Sequence, residues 1–94
     1  MTRTYEATYI LDPNLTEEDV PKFVEKFQTQ VAGKGEVVTV DNWGKRRLSY
    51  EIGGRKEGTY VTMRFKATSD VAEELGRVLR LADEVIRNLI VRLN

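Results

Sequence analysis

Residues 43–52 read Trp43-Gly44-Lys45-Arg46-Arg47-Leu48-Ser49-Tyr50-Glu51-Ile52. Their second half alternates apolar and polar residues, a pattern typical of a β-strand. With the residues before them they predict one long strand over 36–52, or two strands joined by a bulge near Asn42–Gly44. Another strand is predicted over Thr59–Ala67, and the two should pair as an antiparallel hairpin.

The segment between these strands is Gly53-Gly54-Arg55-Lys56-Glu57-Gly58, which we expect to form a flexible basic loop. It lacks the Lys-Ser/Thr pair of a phosphate-binding loop and joins strand to strand, so it does not predict a nucleotide site. In the following strand, alternate residues should face opposite sides of the sheet. We expect Val61, Met63, Phe65 and Ala67 on one side, and Tyr60, Thr62, Arg64 and Lys66 on the other.

The first strand is predicted over residues 4–11, which are rich in strand formers and alternate along their length. Asp12-Pro13-Asn14 should end this strand, because proline cannot donate a hydrogen bond to the sheet and Asp and Asn favour turns. The side chains expected to face the core are Tyr5, Tyr9 and Leu11.

The first helix should begin near Asp19 or Val20, because Pro21 fits only in the first helical turn. Two glycines, Gly33 and Gly35, should end it. One face of this helix carries apolar residues at helical spacing, and we expect it to be core. Those residues are Val20, Phe23, Val24, Phe27 and Val31.

A second helix is predicted after Thr68-Ser69-Asp70, which resembles a helix N-terminus. Its apolar face comprises Val71, Leu75, Val78, Leu79 and Ala82. Gly76 lies in mid-helix, where glycine costs about 1 kcal/mol relative to alanine, so we expect close packing there. The last strand, over 85–93, is apolar on both sides and should be covered twice. Its apolar residues are Leu89, Val91 and Leu93 on one side and Ile86 and Ile90 on the other.

Strand, helix, strand, strand, helix, strand is the order of the ferredoxin-like split βαβ fold. The predicted class is therefore α+β, with a four-stranded antiparallel sheet and both helices on one face. The other face should be open. We expect it to show Thr8, Ile10, Tyr60, Thr62 and Arg64.

The composition is that of one well-solvated domain, residues 1–94, with 32% charged and 40% hydrophobic residues. No apolar run approaches the roughly 20 residues that cross a bilayer, and the N-terminus lacks the features of a signal peptide, so we expect a cytosolic protein. Cysteine and histidine are both absent. Their absence removes disulfides, most transition-metal sites and the commonest acid–base side chain, and so disfavours an enzyme.

The net charge of zero conceals an uneven distribution. Residues 43–66 carry seven cations and two acids, whereas residues 12–42 carry three cations and seven acids. The basic stretch has two interpretations. It could keep an exposed hairpin soluble and discourage edge pairing, or it could bind nucleic acid, with Arg and Lys on phosphates and Trp and Tyr on bases. The sequence from Glu57 to Thr62 departs from the motif of standard RNA-recognition modules.

Four segments in collinear order resemble bacterial ribosomal protein six of the small subunit. They are Arg3-Thr4-Tyr5-Glu6, Asp12-Pro13-Asn14-Leu15, the stretch Trp43–Ile52 and Arg80-Leu81-Ala82-Asp83-Glu84-Val85-Ile86-Arg87. The resemblance implies a ferredoxin-like fold, no enzymatic activity and no cofactor. It also implies a place in the cytoplasmic ribosome, bound to the central domain of small-subunit ribosomal RNA as a heterodimer with ribosomal protein eighteen.

From the charges and this resemblance we expect the main phosphate contacts among Lys45, Arg46, Arg47, Arg55 and Lys56. More distant candidates are Arg3, Arg80, Arg87 and Arg92. Candidate contacts to the partner protein or to bases are Leu48, Tyr50, Tyr60 and Ile90. Trp43 has two open interpretations, a direct contact or a packing anchor that orients the hairpin.

Two other classes of protein stay open on the sequence alone. A small-molecule-binding regulatory domain of the same fold would need a ligand pocket, usually at a dimer interface. A small phosphatase would need a phosphate-binding loop after the first strand, where Asp12-Pro13-Asn14 supplies an acid and a proline in place of backbone donors and a cation.

Overall fold

The computed structural model describes residues 1–94, and its elements follow the predicted order. The four strands form one antiparallel sheet in the order β2-β3-β1-β4. The ferredoxin-like α+β fold is therefore confirmed. The elements are β1 (Arg3–Leu11), α1 (Asp19–Ala32), β2 (Glu36–Ile52), β3 (Arg55–Ala67), α2 (Ser69–Leu81) and β4 (Val85–Arg92).

The core lies between the helices and one face of the sheet, as the alternation in β1 and β3 predicts. The Tyr5 ring stacks on Phe65 with ring centroids 5.5 Å apart, and Tyr9 meets Phe27 of α1 edge-on at 5.2 Å. Such aromatic pairs contribute about 0.5–1.5 kcal/mol beyond the area they bury. The predicted apolar stripes of both helices pack into this cluster, which confirms the assignment of the core face.

The first helix begins at Asp19, as Pro21 predicts, and ends at Ala32. The reason for the glycines that follow differs from the expected one. Gly33 has φ −80°, a right-handed conformation that any residue adopts. Gly35 is needed for space, because a Cβ there would stand 2.5 Å from the backbone oxygen of Lys66 in β3.

The β2–β3 connection is shorter than the predicted loop over Gly53–Gly58. Gly53 and Gly54 have φ of +56° and +79°, and the flanking Ile52 and Arg55 pair with each other. Two consecutive residues with positive φ are typical of a type I′ turn, the connection that matches the twist of a hairpin. Arg55, Lys56, Glu57 and Gly58 consequently belong to β3, and the expectation of a flexible loop there was wrong.

The bulge predicted near Asn42–Gly44 is present. The pairing of β2 with β3 shifts register between Asn42 and Gly44, and Gly44 has φ +79°. Because the bulge adds a residue to β2 alone, Trp43 has no partner in the register, whereas Gly44 pairs with Tyr60. The strand nevertheless runs on without interruption to Ile52.

Two expectations about the open face need correction. Ile10 lies on that face but is only 6% exposed. The pairing of β1 with β4 shifts register between Ile10 and Leu11, and this shift moves Ile86 to the open face. Two distances locate Ile86 there, because a Cβ added to Gly58 would stand 2.3 Å from Ile10 Cγ2 and 3.4 Å from Ile86 Cδ1. Ile86 therefore does not share a side with Ile90, which packs against the core.

The expected close packing at Gly76 is also absent. A Cβ added to this glycine would lie 3.5 Å from Ile90 Cδ1, an ordinary van der Waals distance. The helix therefore has room for a methyl group at this position. No helix of the protein is both long enough and apolar enough to cross a membrane.

Candidate RNA and protein interface

The hairpin of β2 and β3 continues beyond the end of β1, whose last residue, Leu11, pairs with Thr59. We call this continuation, residues 45–58, the arm. Within it only Leu48 and Gly58 are buried. The arm thus projects from the sheet with most of its side chains in solvent, and it holds five of the candidate phosphate contacts.

The three adjacent cations of the arm point to two different sides. Lys45 pairs with the core-facing Thr59 and lines a groove beside the start of α1. Arg46 pairs with Gly58, so it lies on the open face, where its Nε donates to the backbone oxygen of Trp43 at 3.0 Å. By strand alternation Arg47 lies on the side of Lys45. The arm therefore presents positive charge on both sides.

Most candidate cations have no acidic partner. Among the nine candidates, only two arginine or lysine side chains lie within 4.0 Å of an Asp or Glu carboxylate. These are Arg55, at 2.9 Å from Asp12, and Lys56, at 4.0 Å from Glu51. The charges left without such a partner are those of Arg3, Lys45, Arg46, Arg47, Arg80, Arg87 and Arg92.

The more distant candidates do not form one patch with the arm, except for Arg87. The Arg87 guanidinium carbon lies 5.7 Å from the centroid of the Tyr50 ring, a cation–π geometry that brings the arm close to β4. Arg80 lines a groove between α2 and β4 on the helix side, and Arg92 donates to the backbone oxygen of Asn94. Arg3 begins β1 and is partly buried.

Asp12 is the acid that contacts the arm. Its Oδ2 accepts from Arg55 Nε at 2.9 Å, and its Oδ1 accepts from the backbone N–H of Asn14 at 2.8 Å. These interactions hold the pKa of Asp12 below its ordinary value of 3.8, with the Asn14 hydrogen bond the largest cause and partial burial acting in the opposite direction. The carboxylate is therefore ionised at neutral pH and compensates the charge of Arg55.

Trp43 lies on the open face, with its indole Nε1 donating to Thr62 Oγ1 at 3.1 Å. The side chain is nevertheless 53% exposed. With Arg46, Tyr60 and Thr62 it lines a concavity of about 240 Å³. Both interpretations of Trp43 thus keep support, since the ring is anchored and is also accessible to a partner.

Two candidate contacts are less accessible than expected. Leu48 is 9% exposed, and Ile90 turns toward the core, where it packs against the buried cluster. The exposed apolar residues of β4 are instead Leu89 and Val91, which pair with Thr8 and Glu6 on the open face. The two-sided pattern of β4 already contained this signal, but only the register shows which side meets solvent.

The structure contains no group of three or more His, Cys, Asp or Glu residues that could hold a metal ion. The groove between α2 and β4 has a volume of about 510 Å³, and both polar and apolar side chains line it. What the exposed surface offers is unpaired positive charge on the arm and apolar side chains on the open face.

Comparison with known proteins agrees with the resemblance seen in the sequence. Residues 4–92 match the family described as ribosomal protein S6. A crystal structure of 30S ribosomal protein S6 from Thermotoga maritima superposes with a TM-score of 0.92 at 30% identity, covering 98% of this chain and 88% of that one.

Two curated relatives are named small ribosomal subunit protein bS6. The protein of Carboxydothermus hydrogenoformans is 45% identical, with 98% of this chain and 97% of the relative covered. The protein of Desulforamulus reducens is 48% identical, with 96% of each covered. These matches confirm the predicted family and, with it, a location in the ribosome of the cytoplasm. The chain belongs to the ribosomal protein S6 family of the small ribosomal subunit.

Proposed function

We propose that this protein is a structural, non-catalytic component of the small subunit that binds the central domain of its ribosomal RNA as a heterodimer with ribosomal protein eighteen. The observation that carries the RNA part is the arm, where Lys45, Arg46 and Arg47 are exposed and have no carboxylate within 4.0 Å. Cations without an internal partner can meet phosphates without first breaking an ion pair.

The position of these cations also supports RNA as the partner. They lie at the edge of the fold on a two-stranded projection, and they point to both of its sides. A projection of this kind reaches a nucleic-acid backbone without requiring the flat sheet to fit a groove. Contacts to phosphates position a protein and do not read the sequence, in keeping with a structural role.

The open face supports a protein partner. Leu89 is 58% exposed and lies beside the exposed Val91, although both belong to a regular strand at the edge of the sheet. Because β4 is an edge strand, backbone N–H and C=O groups on its outer side are also free to bond another chain. A partner that covers β4 would remove both features from solvent, and we assign this surface to ribosomal protein eighteen.

The RNA contact is tested with the double variant Arg46→Glu, Arg47→Glu in binding to a central-domain RNA fragment with the partner protein present. We expect the variant to fold, to lose most of its affinity, and to show a salt dependence reduced by about one unit of slope for each lost phosphate contact. The control is Lys22→Glu with Lys34→Glu, an equal charge change at exposed positions away from the arm. Undiminished binding by the folded arm variant would remove these residues from the RNA surface.

The protein contact is tested separately with Leu89→Asp. The expected result is weaker association with ribosomal protein eighteen in the absence of RNA, because a charge would be buried at the interface. Leu81→Asp is the matched control, since Leu81 is similarly exposed but lies at the end of α2. Equal effects of the two substitutions would exclude β4 as the contact surface, and RNA binding that needs no partner protein would contradict the heterodimer.

A further inference from the structure

One cation of the arm is bound differently from the others. Arg55 donates to Asp12 through Nε, and its Nη2 also lies 2.9 Å from the same carboxylate oxygen. The Asp12 side chain is only 16% exposed. The neighbouring Lys56 has a 4.0 Å approach to Glu51, and its own side chain is 74% exposed. A partly buried, charge-assisted pair is the stronger interaction of the two.

The acid of this pair is itself held in place by the body of the protein. Its backbone N–H donates to the oxygen of Glu84, just before β4, at 2.8 Å, and its carboxylate accepts the N–H of Asn14. Pro13 follows it directly and restricts the backbone there. Asp12 is therefore a fixed point at the junction of β1, the turn toward α1 and the start of β4.

The cation of the pair lies at the far end of the arm. Arg55 is the first residue after the Gly53-Gly54 turn, and its Nη1 also donates to the oxygen of Gly53 at 3.4 Å. The pair thus connects the tip of the arm, and not its base, to the body. Since few arm residues are buried, a connection at the tip has a large influence on the direction of the whole arm.

We infer that Arg55 is a positioning residue that acts through Asp12, and that the pair holds the arm in the orientation in which Lys45, Arg46 and Arg47 meet RNA phosphates. This inference rests on the proposed RNA-binding function. It gives Arg55 a role different from that of a phosphate contact. When the pair is broken, the arm samples other directions, and the apparent affinity falls in proportion to the fraction of molecules whose arm keeps the competent orientation.

The substitution Asp12→Asn separates this role from simple electrostatics. It keeps an oxygen for the Asn14 hydrogen bond but removes a negative charge near the RNA-binding arm. If only overall charge mattered, RNA binding would become tighter. The positioning role requires the opposite, a loss of about two- to fivefold in affinity with an unchanged salt slope.

Arg55→Gln should give the same two- to fivefold loss, and the double variant should be no worse than either single variant, because both substitutions remove one interaction. Lys56→Gln is the matched comparison, because loss of an exposed candidate phosphate contact one residue away should lower the salt slope by about one unit, whereas Arg55→Gln should leave the slope unchanged. A salt slope lowered by about one unit in Arg55→Gln, with no effect of Asp12→Asn, would identify Arg55 as a direct phosphate contact and overturn the inference.

The orientation of the arm can be measured without RNA. The chain has no cysteine, so Ser49→Cys on the arm and Glu73→Cys on α2 provide two unique spin-label positions. We expect pulsed electron spin resonance to show a broader distance distribution in Asp12→Asn and Arg55→Gln than in Lys56→Gln. An unchanged distribution would overturn the positioning role. Absence of RNA binding by the wild-type heterodimer would instead overturn the proposed function, and would leave this distance measurement valid.

Discussion

Strand β3 contributes both to the helix-side face of the sheet and to the arm, yet these two regions are held in different ways. On the helix side, Val61, Met63 and Phe65 of β3 are almost fully buried in one cluster with both helices. In the arm only Leu48 and Gly58 are buried, and the contacts to the body include Gly58 beside Ile10, the Arg55–Asp12 pair and the approach of Tyr50 to Arg87. Packing therefore dominates on the helix side, whereas only a few contacts connect the arm to the body.

Among the substitutions that test this contrast, Phe27→Ala should have the largest effect on the free energy of unfolding. The Phe27 side chain is fully buried and contacts the rings of Tyr9 and Phe23. Removing it should lower the free energy of unfolding by about 3–5 kcal/mol, through lost burial and the cavity left behind. Urea denaturation measures this change. Trp43→Ala on the open face is the comparison, and an equal loss there would contradict the division between core and surface.

The next effect is expected from Gly58→Ala, at the base of the arm. A Cβ there would stand 2.3 Å from Ile10 Cγ2 and 3.2 Å from the oxygen of Leu11. Relieving this overlap should cost about 1–3 kcal/mol in urea denaturation. Gly33→Ala is the control, because φ is ordinary and nothing lies within 4 Å of its added methyl group. Indistinguishable stabilities would show that the arm can move away from β1 without cost.

Gly76→Ala should change stability in the opposite direction. The added methyl group would lie at van der Waals distance from Ile90, and alanine favours a helix over glycine by about 1 kcal/mol. The melting temperature should rise by a few degrees. A decrease would show that α2 and β4 are packed more tightly around this position than the 3.5 Å spacing indicates.

The smallest effect concerns pH. Because the pKa of Asp12 is lowered in the folded protein, its contribution to stability is complete above its ordinary value of 3.8 and is lost as the pH falls below that value. Asp12→Asn lacks this contribution, which we place below about 1 kcal/mol because Arg55 is partly exposed. The stability difference between wild type and variant should therefore shrink from pH 7 to pH 3. A difference that stays constant would show that the charge of Asp12 does not stabilise the fold.

Most of the fold follows from local patterns. Alternation identified the buried sides of β1 and β3, and Pro21 located the start of α1, because these signals depend on neighbouring residues alone. The Gly53-Gly54 turn was missed although two adjacent glycines between strands are a known hairpin signal. The basic residues after this turn, Arg55 and Lys56, suggested a loop. They belong to β3 because the two-residue turn places Arg55 opposite Ile52 of β2.

The candidate site was less predictable, since exposure and ion pairing arise between distant parts of the chain. The sequence showed that Leu48 and Ile90 are apolar and that Leu89 is too, but not which of them meets solvent. Asp12 and Arg55 are 43 residues apart, so no local pattern indicates their contact. Arg55 therefore could not be distinguished from its unpaired neighbours.

The amino-acid sequence by itself determined the family, the order of helices and strands, the core face and the concentration of positive charge between residues 43 and 66. Each of these depends on composition or on spacing along a short segment. Only the tertiary structure decided that Arg55 beside the turn of the arm pairs with Asp12, that the cations of the arm point to two sides, and that Leu89 and Val91 are the exposed apolar residues of β4. Those features depend on the register of the sheet and on contacts across it, which the fold creates.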